Sequence, residues 1–404
     1  MGKQSIKILL FSTLFPHAGE PTLGIFVENR LKNLLKQYEG LEATIIAPVP
    51  WFPFKNNIFG AYGRAARANK VEFRDNIVVH HPRYLVVPKI GMLLTPWFLY
   101  ISAWRCFEKL RKNGAEFDII DAHYLYPDAV ACARLARKSG LPFIATARGS
   151  DVTQVGLMAR PQQAILAALQ QASHTITVSA NLKRDLVSMG ACEADISVLR
   201  NGVDLERFRE IGRKERRKAF PAGPIMIFAG WLIPRKRLDL VLAVTKLLPN
   251  ISTVIVGDGP LMAECKEEVS RMGISSRVFF EGQQTPEDMA PYFSLADVLL
   301  LPSDREGWAN VLLEAMACGT PVVSRAIGGA PDLIQENVAG RVVDSDDPVL
   351  LAKAVQAILD DQPSRSAVRG YAARYDWVET STAQMKVFEA AIADYRKGTL
   401  HDGD

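Results

Sequence analysis

At 404 residues, 48% apolar and 23% charged, the chain is long enough for two hydrophobic cores and too ordinary in composition to be disordered or fibrous. Its net charge of +4 hides an uneven split: residues 1–200 hold 24 Lys/Arg against 15 Asp/Glu, residues 201–404 hold 24 against 29. No stretch reaches the roughly 18 to 20 apolar residues of a membrane span, and five scattered cysteines without a C-x-x-C pair exclude a disulfide framework or zinc site, reading instead as buried thiols of a reducing compartment, the cytoplasm.

In chain order, Met1-Gly2-Lys3-Gln4-Ser5-Ile6 fails as a myristoylation signal, because Ile6 stands where Ser or Thr is wanted. The apolar run 8–15 is too short for a signal peptide and leads into a loop, as a first buried strand does. Strands are predicted over 7–12, 42–47, 77–81, 118–122, 142–146 and 174–178, with helices over 26–38 and 161–171. The longest apolar candidate, 90–104, is interrupted by Thr95-Pro96. A turn-forming Asn201-Gly202 and the charged run 213–218 mark a solvated linker over 201–223. Beyond it the alternation resumes, with strands over 225–229, 252–256, 277–280, 297–301 and 321–324 and helices over 238–248, 261–272 and 309–317. Such alternation implies parallel, doubly wound sheets. The stretch 377–395 is helical and amphipathic, and the tail after Lys397 is expected to be disordered.

Cations and glycines stand at strand ends, where open α/β sheets bind ligands. Gly230-Trp231-Leu232-Ile233-Pro234-Arg235-Lys236-Arg237 follows one strand and Gly328-Gly329-Ala330-Pro331 another. Between them lies Glu306-Gly307-Trp308-Ala309-Asn310-Val311-Leu312-Leu313-Glu314. If this segment is one helix, its two carboxylates lie roughly 12 Å apart along the axis, with the amides of a helix start between them to hold an anion. That layout suits a diphosphate joining a ribose to a hexose. It is too wide for the roughly 6.5 to 9.5 Å carboxylate pair of an inverting glycosidase, so hydrolysis fits poorly.

The chain resembles the retaining nucleotide-sugar glycosyltransferases of family 4, which have the GT-B fold. The resemblance runs through Thr13-Leu14-Phe15-Pro16 with Gly24, Asp121-Ala122-His123, Gly149-Ser150-Asp151, Asn201-Gly202-Val203-Asp204, Gly257-Asp258-Gly259-Pro260, Pro302-Ser303, Glu306 to Glu314, and Glu314-Ala315-Met316-Ala317-Cys318-Gly319-Thr320-Pro321. It implies two Rossmann-like domains facing across a cleft: an acceptor-side domain over 1–200, to which a helix over 377–397 returns, and a nucleotide-sugar domain over 224–376. A hexosyl unit would move from a nucleotide-diphosphate sugar to a hydroxyl of a cell-envelope or exopolysaccharide acceptor, a glycan or a lipid-linked one. Configuration would be retained, and neither metal nor any cofactor beyond the donor would be required.

By the same resemblance Lys236 and an adjacent arginine bind the diphosphate, Glu306 accepts hydrogen bonds from the hexose and Glu314 from the ribose. Amides of Trp308, Ala309, Asn310 and Val311 hold the distal phosphate, and Gly24 opens a loop toward the donor. The arginine common after Gly230 is Trp231 here, which makes Arg235 the substitute, with Arg237 an alternative. Arg148 stands where the family often shows a histidine in Thr-x-His-Gly-x-Asp. An arginine cannot be a general base, which leaves it an electrostatic role and makes His123 a second acceptor-side candidate. Another GT-B activity, an epimerase or a phosphorylase, and a non-catalytic nucleotide-sugar-binding protein are the alternatives. The basic first half, with Trp51-Phe52-Pro53-Phe54, Lys55, Arg64, Arg67, Lys70 and the aromatics near Trp97, reads either as a face for an anionic membrane or as an ordinary solvated surface. No nucleic-acid motif accompanies the charge.

Overall fold

The computed structural model describes residues 5–75, 77–87 and 91–401; the Met1–Gln4 part of the amino terminus and Ile90 lie outside them. The chain forms two compact units, one built from residues up to Asn201 together with those from Trp377, the other from Gly202–Asp376.

The first unit holds an eight-stranded sheet of β1 (Ile6–Phe11), β2 (Leu41–Ile46), β3 (Val71–Arg74), β4 (Ile77–His80), β5 (Ile119–His123), β6 (Phe143–Ala147), β7 (His174–Thr177) and β8 (Ile196–Val198). Their order is β8-β7-β6-β5-β1-β2-β4-β3. Every pairing is parallel except β3 on β4, an antiparallel edge. The inner strands are apolar on both faces because helices cover both. Ile8, Ile119, Ile144 and Ile176 point to one core, closed by Leu34 of α1 (Ile25–Gln37) and by Phe388 of the last helix. A second core on the opposite face joins Leu10, Val27, Leu31, Ile45 and Val79. The candidate run near Trp97 becomes α2 (Thr95–Lys112), whose first turn Thr95-Pro96 starts because proline suits that position. No helix among the described residues is long and apolar enough to cross a membrane.

The second unit repeats the architecture with six parallel strands: β9 (Ile225–Ala229), β10 (Ser252–Val256), β11 (Val278–Gly282), β12 (Val298–Leu301), β13 (Val322–Arg325) and β14 (Gly340–Val343), ordered β11-β10-β9-β12-β13-β14.

Three expectations change. The stretch after Gly202 is not a solvated linker but packs on the second unit. Arg213 donates to the carbonyls of Ser294, Leu295 and Ala296 at 2.8–2.9 Å and to Asp297 at 2.6 Å, and Arg217 donates to Asp297 at 2.9 Å. An arginine fork thus satisfies carbonyls that a helix end leaves without partners. The tail after Lys397 continues as helix, Trp377–His401, since no proline stops the ladder. Among the thiols, Cys132, Cys265 and Cys318 are buried, Cys106 is half-buried and Cys192 is exposed, on the loop before β8.

Candidate functional site

In an open parallel sheet the crevice forms where chain connections diverge to opposite sides. In the second unit that point lies between β9 and β12, and the loops leaving their carboxyl ends carry Gly230–Lys236 and Pro302–Glu306. The two loops meet: Lys236 Nζ lies 2.5 Å from Glu306 Oε1, with both side chains nearly buried, and Arg235 Nη1 lies 3.9 Å from Glu306 Oε2. Arg235 also donates to the carbonyl of Arg305 at 3.1 Å while remaining 41% exposed. Two cations therefore converge on one carboxylate at the mouth of the sheet. Arg237, by contrast, is spoken for by Asp239 at 2.9 Å, Asp304 at 3.2 Å and Asp346 at 3.6 Å. The hydroxyl of Ser303, buried at the end of β12, has no protein partner.

Glu306 is not on a helix, which corrects the spacing expected from a continuous one. Gly307 and Trp308 form a loop, Ala309 adopts a left-handed conformation (φ 36°, ψ 59°), and only then does α3 (Asn310–Ala317) begin. Trp308 is buried with its ring 6.1 Å from that of Tyr375, so the indole packs the loop down. Gly328 holds the loop from the other side. Its φ is +50°, and a Cβ there would meet the Glu306 carbonyl oxygen at 2.0 Å, which only glycine avoids. Glu314 is half-buried on α3; burial pushes its carboxyl up to about 7, with Arg207 opposing.

In the first unit the corresponding point lies between β1 and β5. Gly24, at φ +62°, opens α1, and a Cβ there would meet the Leu14 carbonyl oxygen at 2.0 Å, so the loop after β1 and the start of α1 are locked together. His123, at the end of β5, is 1% exposed. Its Nε2 lies 3.0 Å from Asp121 Oδ2, and its Nδ1 lies 2.5 Å from Arg148 Nη2. A guanidinium only donates, so Nδ1 accepts and Nε2 carries the proton given to Asp121. Burial first, and then Arg148, hold this imidazole down at about 4, neutral at pH 7. Both ring nitrogens are occupied, which leaves no lone pair for general-base work. Arg148 is also buried, bonded to Asn201 Oδ1 at 3.3 Å and stacked 5.3 Å over Phe26, and burial pulls it down to about 9.

Two members of this cluster escaped the sequence reading. Arg30 donates to Gln384 Oε1 at 2.6 Å and to the carbonyl of Leu199 at 3.1 Å, and Gln384 donates in turn to Asp121 at 3.1 Å. Arg30 had a signal: it falls in the buried stripe of α1 with Val27, Leu31 and Leu34. Gln384 had none, because it enters from α4 (Trp377–His401), far along the chain.

The family described as "Glycosyltransferase Family 4" matches residues 27–207, and that described as "Glycosyl transferases group 1" matches residues 212–375. The D-inositol 3-phosphate glycosyltransferase of Mycolicibacterium gilvum is 31% identical over 300 residues, covering 69% of this chain and 67% of that protein. TuaC of Bacillus subtilis, described as a teichuronic acid biosynthesis glycosyltransferase, is 28% identical over 81% of this chain and 83% of its own length. Among solved structures, Anabaena HepE in complex with UDP superposes with a TM-score of 0.72 at 17% identity, over 95% of this chain and 100% of that one. With both units accounted for in order, the chain belongs to glycosyltransferase family 4 and has the GT-B fold.

Proposed function

We propose that the protein transfers a hexosyl unit, with retention of configuration, from a nucleotide-diphosphate sugar to a hydroxyl of a cell-envelope or exopolysaccharide acceptor, glycan or lipid-linked. The observation that carries this reading is the convergence of Arg235 and Lys236 on Glu306 at the mouth of the second sheet, beside the start of α3. A diphosphate is the ligand such a site suits: it takes the two cations from Glu306, and Glu306 is then released to accept hydroxyl donors of the hexose. The amides from Trp308 to Val311 would hold the distal phosphate, and Glu314 would take the ribose hydroxyls. The UDP bound to HepE supports a nucleotide donor, and the name of TuaC, which places that protein in teichuronic acid biosynthesis, supports a part in polysaccharide biosynthesis.

The chemistry follows from which groups are occupied. The bond from the anomeric carbon to the β-phosphate oxygen breaks, the acceptor oxygen bonds to that carbon on the same face, and the acceptor's proton passes to the departing phosphate. The engaged nitrogens of His123 and the cationic Arg148 support this route, since neither accepts that proton; both are better read as holding the acceptor side in shape. Arg235 and Lys236 supply the charge that a metal supplies elsewhere, so transfer is expected to proceed in EDTA. We place the work in the cytoplasm, at the inner face of the membrane.

A panel of UDP-, GDP- and ADP-sugars scored by thermal shift identifies the donor, since a ligand at about 100 times its Kd stabilises by about 2.7 kcal/mol. Release of nucleoside diphosphate only when acceptor is present, with a product of unchanged anomeric configuration by NMR, is the expected outcome. Inversion of the anomer, or full loss of turnover in EDTA restored by Mg²⁺, sinks the mechanism.

A further inference from the structure

Many of the exposed apolar side chains of the first unit stand on two neighbouring loops, although Phe73, Leu157 and Met158 are exposed on other elements. Val49–Pro50 pairs in parallel with Arg83–Tyr84, and the Trp51 amide donates to the Tyr84 carbonyl at 2.7 Å, so the chain segments that follow leave side by side. On the first, Phe52 packs against Phe54, Phe59 and Tyr62 with ring centroids 5.2–5.9 Å apart, a preformed aromatic platform. Outward from these loops stand Trp51 at 55% exposure, Phe54 at 57%, Ile58 at 79% and Leu85 at 54%, with Leu94 and Trp97 half-exposed at the start of α2. Ser102 of α2 bonds the Arg83 carbonyl at 2.9 Å, which ties that helix to the same bridge. Monomeric proteins rarely leave such a patch open without a use.

Charge selects the occupant. Residues 43–107 hold eight Lys/Arg against two Asp/Glu, and of the eight Arg64 pairs with Glu20 at 3.1 Å and Arg74 with Glu28 at 2.7 Å. Both acids are already bonded within the fold, Glu72 to the amides of Ala18 and Asn69 and Asp75 to Lys32 at 2.6 Å. Lys55, Lys70 and Arg105 are exposed. A second copy would set this positive excess against itself, whereas lipid headgroups neutralise it.

We infer that this surface docks on an anionic lipid bilayer, its aromatic and aliphatic side chains entering the boundary between headgroups and acyl chains while the basic residues meet lipid phosphates. The contact is amphiphilic rather than purely electrostatic, and narrower than the sequence suggested: Leu99 is buried, and Trp97 lies under Arg134 at 5.2 Å. It is independent of the donor and of the transfer reaction, so either reading can fail while the other stands. The test sediments the full chain with vesicles of equimolar phosphatidylglycerol and phosphatidylcholine, or of phosphatidylcholine alone, at about 0.1 M and about 1 M salt, where the Debye length falls from about 10 to about 3 Å. Wild type is expected to bind the anionic vesicles and to keep part of that binding at high salt. Trp51→Ser with Ile58→Ser, at exposed positions and with unchanged melting, is expected to lose partitioning on the order of tenfold or more, and Lys55→Ser with Lys70→Ser to lose the preference for phosphatidylglycerol. Negligible binding to every vesicle overturns the inference. So does wild-type binding by the Trp51/Ile58 variant, or a concentration-dependent dimer that those substitutions break while no vesicle is bound.

Discussion

A guanidinium buried against an imidazole fixes the imidazole's tautomer and lowers its basicity, which gives the Arg148–His123–Asp121 cluster a measurable pH signature. The folded value of His123 is about 4 against 6.5 for the free residue. As pH falls below about 6.5 the unfolded chain takes up a proton that the folded chain refuses, so the contribution of His123 is full above that pH and is lost progressively toward 4, by about 3 kcal/mol in all. Asp128, buried where its carboxylate accepts from the Thr13 amide at 2.6 Å, and Glu314 act in the opposite sense. Burial raises them to about 8 and about 7, so their contribution is full at low pH and is lost as pH rises through those values. The clean measurement is therefore a difference: the stability gap between wild type and His123→Gln, from denaturant titrations, should shrink between pH 7 and pH 4. Parallel profiles would remove the imidazole from this account. On the donor side, Lys236→Ala is expected to lower kcat by about 10²–10³, as removal of a preorganised charge does. Arg237→Ala, whose guanidinium is held by three carboxylates, should change kcat by no more than about threefold. Equal losses in the two variants would contradict the assignment of Lys236.

Among the elements, the loop before α3 stores strain beside the proposed donor phosphates. An alanine in the left-handed region costs about 1–2 kcal/mol, and Ala309 is held there by the buried Trp308 and by the close approach of Gly328 to Glu306. Ala309→Gly is expected to raise stability by up to about 1 kcal/mol. Gly328→Ala should cost about 1–3 kcal/mol and, by pushing on the Glu306 carbonyl, lower kcat as well. A Gly328→Ala enzyme with wild-type melting and turnover would show that the loop yields freely. The same loop marks where the sequence stops being legible. The inner strands stood out because each is an apolar run bounded by turn residues, and β9 and β10 have the bounds that pattern predicts. The edge strands β3 and β14 did not: Val71-Glu72-Phe73-Arg74 turns Phe73 outward, 77% exposed, and Gly340-Arg341-Val342-Val343 starts on a glycine with only one covered side. The helix expected over 309–317 begins at Asn310, but the spacing of the two carboxylates rests on one continuous helix from 306 to 314, because nothing in composition reports a left-handed alanine. Lys236 and Glu306 were named separately, but their contact depends on β9 and β12 being neighbours, a property of the sheet order.

At the scale of the molecule, each unit has its own core, and only the first depends on a distant segment. Phe388 is fully buried against Ile8, Ile119 and Ile144, while Gln384 completes the bonds of Arg30 and Asp121. Deleting 377–404 uncovers that core and leaves two buried charges short of partners, a loss comparable with the roughly 5–15 kcal/mol that holds a domain together. Limited proteolysis of the truncated chain should digest the first unit and spare a fragment near 202–376; protection of both units would refute the dependence. There is also a consequence in time. Because the second unit interrupts the first, a nascent chain exposes β1 to β8 long before their closing helix exists. At ~5–20 residues per second, the interval between synthesis of Asn201 and of Trp377 is roughly nine to thirty-five seconds, during which the later unit is still being made while the earlier one waits, its apolar seam open to whatever chaperone meets it at the ribosome exit.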